Sequence, residues 1–401
     1  MKPQSAHSPT FVVKAGHRKV KVVAPPASPR RGWWRRFRLA LIAIQVVAAV
    51  ALIEHFLIRP RRLAPARQPT PTLPVAVKPP PLKGLPAPAL GARALLPARL
   101  RAVEPALLPD TAELAAGSAE AQAAQVAFSL RSGLPLEVEN SLGIRFRLVP
   151  PGSGLVGSPP EEAGRTSWES RHRAWFNRPF YLSVSEITQE QWLKIMPENP
   201  SYFRETRRPV EEVSWHQCVE FARELGGREG LPANTYRLPT EREWEYACRA
   251  GTATPFFFGS DPRRLRLYAD FKENNNHHTN IVMLRRPNAW GFHDLLGNVW
   301  EWCLDRFQPY DGGAEAAPVG AELDDPAVSR VLRGGNWLAE ASDCRAACRS
   351  RLPPASHGNM LGFRLLRTLP EYEPTGREMA TPPEWLRPEG AEPPPPAVPG
   401  L

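Results

Sequence analysis

Cysteine is scarce in this chain: five in 401 residues, an odd number that cannot all pair with one another. Their spacing holds no zinc pattern. Cys344 and Cys348 have neither a second pair nor a histidine close by. Buried, reduced thiols are the expectation. Phosphate and acyl-transfer signatures are missing too: there is no Gly-rich phosphate loop, no Walker sequence and no G-x-S-x-G elbow. His277-His278 lacks a partner at ligand spacing and reads as a solvated loop. No internal repeat occurs, which excludes solenoids and propellers.

Acidic residues are almost absent from the N-terminal side. Residues 1–67 contain fourteen Lys/Arg and one acid, Glu54, so the net +10 belongs to this arm and the remainder carries −3. A basic arm beside a near-neutral body points to membrane topology or anionic lipid. Nucleic-acid binding would need a basic face on the folded part, and no run of the sequence shows one, so nucleic acid is not an expected partner.

Only one stretch is apolar enough for a bilayer. Leu39 to Ile58 is broken by Gln45, Glu54 and His55 alone, and its length just crosses a hydrocarbon core as a helix. Trp33 and Trp34 stand at its start as interfacial anchors. Arginines flank both ends, and Arg18, Lys19 and Lys21 tip the balance toward a cytoplasmic N-terminus. The expected organisation is a basic arm (1–37), a transmembrane helix (38–58), a Pro/Ala-rich linker (59–133), a folded domain (134–370) and a Pro-rich tail (371–401). Thirteen prolines between Pro60 and Pro109 make the linker extended and semi-rigid. Within it, residues 110–131 are Ala-rich and predict a short helix capped at Asp110 or Thr111. The chain thus reads as a single-pass membrane protein with its folded domain outside the cytoplasm.

The folded middle announces three helices by one device. Thr188-x-x-Gln191, Ser214-x-x-Gln217 and Thr240-x-x-Glu243 are capping boxes. The second helix places Cys218, Phe221 and Leu225 on one face and is expected to stop at Gly226-Gly227. The third carries Trp244, Ala247 and Cys248 together and stops at Gly251. IRFRLV (144–149) alternates apolar and basic residues as a half-exposed strand would. Phe180-Tyr181-Leu182 and Val331-Leu332 read as further strands. The fold class is α+β with much loop, held by buried Trp and Phe.

Several motifs follow in order: NSLGIRFRLVPPGSGLVGS (140–158), RPFYLSVSEITQEQW (178–192), PVEEVSW (209–215), YRLPTEREWEYACRAG (236–251), NAWGFHDLLGNVWEW (288–302), RVLRGGNW (330–337) and LGFRLL (361–366). This series resembles the formylglycine-generating enzyme (sulfatase-modifying factor) family. The resemblance implies a compact C-type-lectin-like fold with little regular secondary structure. In copper-dependent members, two cysteines in a pattern like GGSYxCxxxxC bind the metal. They oxidise a sulfatase cysteine to formylglycine with O₂.

Here the corresponding run is GGNWLAEASDCRAACR. Asn336 stands at the serine position and Ala339 at the first cysteine position. Aligned forward from the glycines, Cys344 falls on the second cysteine; aligned backward from Arg345 and Arg349, it falls elsewhere. Cys344 and Asn336 are the catalytic candidates, and the pair is broken either way. Cu(I) wants two soft thiolates. Cys344 with Cys348 would be a substitute, but four residues along a strand span about 13 Å, too far without a bend. Copper is therefore not expected.

The family's structural calcium sites map onto Asp294, Gly297, Val299 and Glu301, and onto Asp270 with the Phe271 carbonyl. Carboxylates mixed with carbonyls suit Ca²⁺. The alternative is that Glu301 pairs with an arginine and Asp294 caps a turn. The expected function is a catalytically divergent, membrane-anchored member binding a peptide, protein or glycan, with sulfatases among candidate partners. The alternatives are a formylglycine-generating oxidase using copper and O₂, and a structural envelope-interaction protein.

Overall fold

The computed structural model describes residues 10–15, 18–23, 99–106, 108–310 and 328–370. The chain divides after Gly84 into two units. In the first, β1 (Thr10–Ala15) and β2 (Arg18–Val23) pair as an antiparallel hairpin. The expected transmembrane helix (38–58) and the Pro-rich tail lie outside the described residues. Among the described residues no helix is long and apolar enough to cross a membrane.

The second unit starts earlier than the sequence predicts. β3 (Arg101–Ala102) pairs with β4 (Glu137–Glu139), and Leu100 is already buried. Asp110 does cap a turn, but only the 3-10 turn Thr111–Glu113. The Ala-rich helix α1 begins later and runs Ser118–Ser132. It buries Ala121 and Phe128, and Gln125 donates to the Leu148 carbonyl at 2.8 Å. Segments before residue 134 thus pack on the sheet as well, because small Ala side chains let α1 lie close against it.

β5 (Arg145–Val149), β6 (Gly152–Val156), β7 (His172–Phe176) and β8 (Phe180–Ser183) come next. They are followed by α2 (Gln189–Leu193), α3 (Trp215–Glu229), β9 (Tyr236–Arg237) and α4 (Glu241–Arg249). β10 (Trp300–Arg306), β11 (Arg330–Arg333), β12 (Arg349–Leu352), β13 (Leu361–Gly362) and β14 (Leu366–Arg367) complete the unit. A six-stranded sheet runs β3-β4-β5-β8-β14-β9, all neighbours antiparallel. A four-stranded sheet runs β12-β11-β10-β13, with only β10 and β13 parallel.

All three capping boxes form, each with reciprocal side-chain and backbone bonds. α3 does not stop at Gly226-Gly227. It continues to Glu229 and ends at Gly230, whose φ of 68° closes the last turn. Arg228 in that turn donates to the carbonyls of Lys194 and Ile195. Two helical glycines cost about 1 kcal/mol each, and such tertiary bonds offset that.

β5 is also not half-exposed. Arg147 is 1 % exposed, donating to Glu137 and to the Trp290 carbonyl. Period-2 alternation marks two faces, but here both are covered. One core cluster surrounds Trp244, Tyr246, Phe256 to Phe258 and Trp290. The other surrounds Trp192, Trp215, Phe221, Trp302 and Phe363.

Candidate functional site

The GNVWE turn and β10 form the acidic centre. β10 places Glu301 inside, fully buried. Trp244, on the inner face of α4, donates its indole N–H to Glu301 Oε2 at 2.6 Å. Arg364, between β13 and β14, grips both Glu301 oxygens at 2.6 and 2.7 Å. It also donates to the carbonyls of Ser183 and His293. Glu301 therefore has the arginine partner of the alternative reading.

Asp294 sits in the left-handed region at φ 57° and accepts the Met283 N–H at 2.7 Å. Burial pushes its carboxyl up to about 7. Glu186, just before α2, accepts the Asn298 amide and the Val299 N–H. It is raised well above the usual range, first by burial and then by the charges of Asp294 and Glu301. Sequence reasoning missed Glu186 and Arg364. Both lie within motifs of the series, at SVSEITQEQW and LGFRLL, yet nothing local marks them as facing Glu301.

Gly297 is indispensable to this turn. Its φ is 80°, and a Cβ there would lie 2.2 Å from the Asp270 carbonyl oxygen. Its N–H reaches the Gly334 carbonyl, tying the acidic centre to the glycine pair. Val299 is fully buried. The donor set of Asp294, two carbonyls and Glu301 suits a hard cation, and the crowded carboxylates outnumber the one guanidinium bonded to them. Asp270 and Phe271 are different. Asp270 is engaged by Asn280 and Arg285, and the Phe271 carbonyl accepts from Asn274 and Asn275. Asp270 Oδ1 already carries Arg285 and Asn280 and the Phe271 carbonyl already accepts two N–H groups, so this pair offers a cation fewer free oxygens.

Among the described residues, no three carboxylates, imidazoles or thiols converge as a metal-binding cluster.

The cysteine run behaves unlike a strand. Ala341–Cys344 is a 3-10 turn, and Cys348 N–H bonds back to the Arg345 carbonyl at 3.0 Å. The bends bring Cys344 and Cys348 within electrostatic range of each other. Cys344 is fully buried, and its sulfur packs under Gly335, where a Cβ would approach it to 2.8 Å. Burial, then Cys348 and Asp343, lifts the Cys344 thiol well above its normal range. Burial pushes Cys348 up to about 12. Burial thus disfavours the thiolate form of both, the form that is nucleophilic and binds metal. Ala339 supplies no ligand, and Asn336 caps a local turn by accepting the Leu338 N–H at 2.6 Å. These residues do not fit a two-thiolate copper site.

Trp337 is linked through Phe203 to Tyr202, one wall of an open cavity of about 550 Å³. Its ring meets Phe203 edge-on at 5.5 Å, and Phe203 meets Tyr202 likewise at 4.9 Å. The cavity is lined by Ser201, Tyr202, Arg204, Glu212, Gln217 and His357 among others. Tyr202 is 69 % exposed. Glu212, at φ 60°, pairs with His357 at 2.9 Å. Beneath it the buried Glu211 accepts the Phe203 N–H at 2.7 Å, and burial raises its carboxyl. None of these lining residues is visible as a site in the sequence, because Pro200–Arg204 and His357 are more than 150 positions apart. All five cysteines are buried and unpaired, and none lines this cavity.

Comparison with known proteins bears on this geometry. The family model described as "Sulfatase-modifying factor enzyme 1-like domain" matches residues 139–369. The formylglycine-generating enzyme of Streptomyces coelicolor is 37 % identical over 171 residues, covering 39 % of this chain and 51 % of that one. The mouse formylglycine-generating enzyme is 30 % identical over 211 residues, covering 48 % and 52 %. A Paenibacillus barcinonensis protein named "Chaperone protein LppX" is 27 % identical over 236 residues, covering 47 % and 80 %. The chain thus spans about half the length of these formylglycine-generating enzymes. Among solved structures, Treponema denticola variable protein 1 aligns at TM-score 0.51 and 25 % identity, over 58 % of this chain and 99 % of that one. PvdO from Pseudomonas aeruginosa aligns at 0.50 and 26 %, over 57 % and 96 %.

Proposed function

The chain belongs to the sulfatase-modifying factor enzyme 1-like domain family, and on that premise we propose that it is a catalytically divergent member that binds a protein or peptide instead of oxidising one. The carrying observation is the burial of every thiol, away from the cavity lined by Tyr202. The exposed Tyr202 ring offers a flat contact, and Glu212, Gln217 and Arg204 offer polar ones, as peptide recognition requires. A relative bearing the name chaperone is in keeping with a protein partner.

In this reading the segment 38–58 anchors the chain with its N-terminus in the cytoplasm and the domain outside. Calcium would be held by the Asp294 carboxylate and the Gly297 and Val299 carbonyls, with Glu301 sharing an oxygen with Arg364. Its role would be to cross-link the turn and neutralise Asp294 and Glu186.

Copper(I) titration of the purified chain, read by thiol reactivity, tests the divergence. The expected result is no stoichiometric tight binding and no aldehyde on a sulfatase-motif peptide. Tight copper between Cys344 and Cys348 with cysteine-to-aldehyde turnover would establish the oxidase reading instead. Binding of the same peptide should survive its cysteine→serine change and weaken at least about fivefold in Tyr202→Ala. Peptide binding indifferent to Tyr202→Ala would remove the cavity from the proposal.

A further inference from the structure

We infer that the surface formed by residues 282–286, the end of the 3-10 helix Pro262–Leu267 and Arg207 docks on an anionic phospholipid membrane. Main-chain bonds assemble this surface from three distant segments. Val282 N–H donates to the Arg207 carbonyl at 3.0 Å, and Arg286 N–H donates to the Leu267 carbonyl at 3.0 Å. The Arg285 guanidinium reaches the Arg266 carbonyl at 3.2 Å. The stretch between those ties is held out by Met283, whose φ is 61°. Asp294 fixes that unusual backbone by accepting the Met283 N–H.

The result presents apolar side chains to water. Leu267 is 39 % exposed, Met283 41 % and Leu284 51 %. Cationic groups surround them. Arg207 and Arg266 are exposed, and neither guanidinium has a hydrogen-bond or ion-pair partner among the described residues. Among the described residues the Arg208 guanidinium bonds only to His278, and that of Arg264 only to carbonyls and the Tyr268 hydroxyl. Nearby carboxylates are already engaged: Asp261 by Arg263, Asp270 by Arg285 and Glu113 by Arg286. Glu205 is the exception, and its Oε1 accepts the Arg207 N–H.

Two features together select the occupant. Unpaired guanidiniums attract any polyanion, but a polyanion gains nothing from Leu and Met side chains beside them. An anionic bilayer satisfies both, taking the apolar tips into its headgroup boundary while its phosphates meet the arginines.

The test places an environment-sensitive fluorophore at Leu284→Cys in the full chain, where the five native thiols are buried. A second sample carries it at Leu193→Cys, 48 % exposed on α2. Each is mixed with vesicles of phosphatidylcholine alone or with added phosphatidylglycerol. The expected result is a blue-shifted, brighter emission at position 284 with phosphatidylglycerol only, and none at position 193. Arg207→Gln with Arg266→Gln should raise the lipid needed roughly twenty-five-fold, at about fivefold per arginine. Equal response at both positions would mean that the basic N-terminal arm alone brings the chain to lipid, and would overturn the assignment. So would a response independent of phosphatidylglycerol, or a site 284 that responds to heparin but to no vesicle.

Discussion

Arg364→Met would remove the one guanidinium bonded to the acidic centre. Arg364 is completely buried and makes four bonds: two to Glu301 and one each to the carbonyls of Ser183 and His293. Methionine keeps most of the stem and none of the donors. Glu301, Asp294 and Glu186 are then left together in the interior. One-sided loss of a buried pair costs about 3–5 kcal/mol. Urea unfolding followed by tryptophan fluorescence, in chelator at pH 7.5, should report a loss of that size.

The pH dependence supplies a second, independent readout. Burial raises the folded Asp294 carboxyl to about 7, against about 3.9 in an unfolded chain. A carboxyl raised by folding contributes its stability below the unfolded value and loses it as pH climbs through the folded one. Calcium-free wild-type protein should weaken by roughly 4 kcal/mol from this group between pH 4 and pH 7. At pH 5 Asp294 is already neutral, so the Arg364→Met deficit should be smaller there. Adding Glu301→Gln should restore part of it. A deficit under about 1 kcal/mol at pH 7.5, or one equal at both pH values, would refute the claim that charge holds this centre together.

Gly297→Ala should lower stability by at least about 2–3 kcal/mol, since both its backbone and the Asp270 carbonyl oppose a Cβ; a melting temperature within a degree or so of wild type would contradict this. The native chain should resist Ellman's reagent at all five cysteines until it unfolds, and rapid labelling of Cys344 would show that its burial is not what the packing under Gly335 indicates. Thr240→Ala, which removes the hydroxyl accepting the Glu243 N–H, should cost about 1 kcal/mol in urea unfolding, with Thr240→Ser close to neutral. Calcium should raise the melting temperature of chelator-stripped protein and Asp294→Asn should blunt that rise; no response to calcium would leave the turn without an ion.

Local chemistry was legible wherever neighbours in sequence are neighbours in space. The three capping boxes read directly from Thr188, Ser214 and Thr240, because a cap and its N3 partner are three residues apart in any helix. The strands at 145–149, 180–183 and 330–333 were visible for the same reason. The family motifs pointed to the fold class. What the sequence could not rank was burial. Alternating residues on β5 imply two faces but not that a second layer covers Arg147. A glycine pair within α3 implies a stop only until bonds from Arg228 outweigh it.

The sequence by itself determined the family and the starts of the three capping-box helices, since each depends on residue identity over short spans. The tertiary structure alone decided that Arg364 closes on Glu301, that Glu186 joins them, and that Cys344 lies sealed beneath Gly335. It also gathered Arg207, Arg266 and Leu284 onto one face. Those outcomes depend on which distant segments the core forces together. That is a matter of packing, and no local pattern carries it.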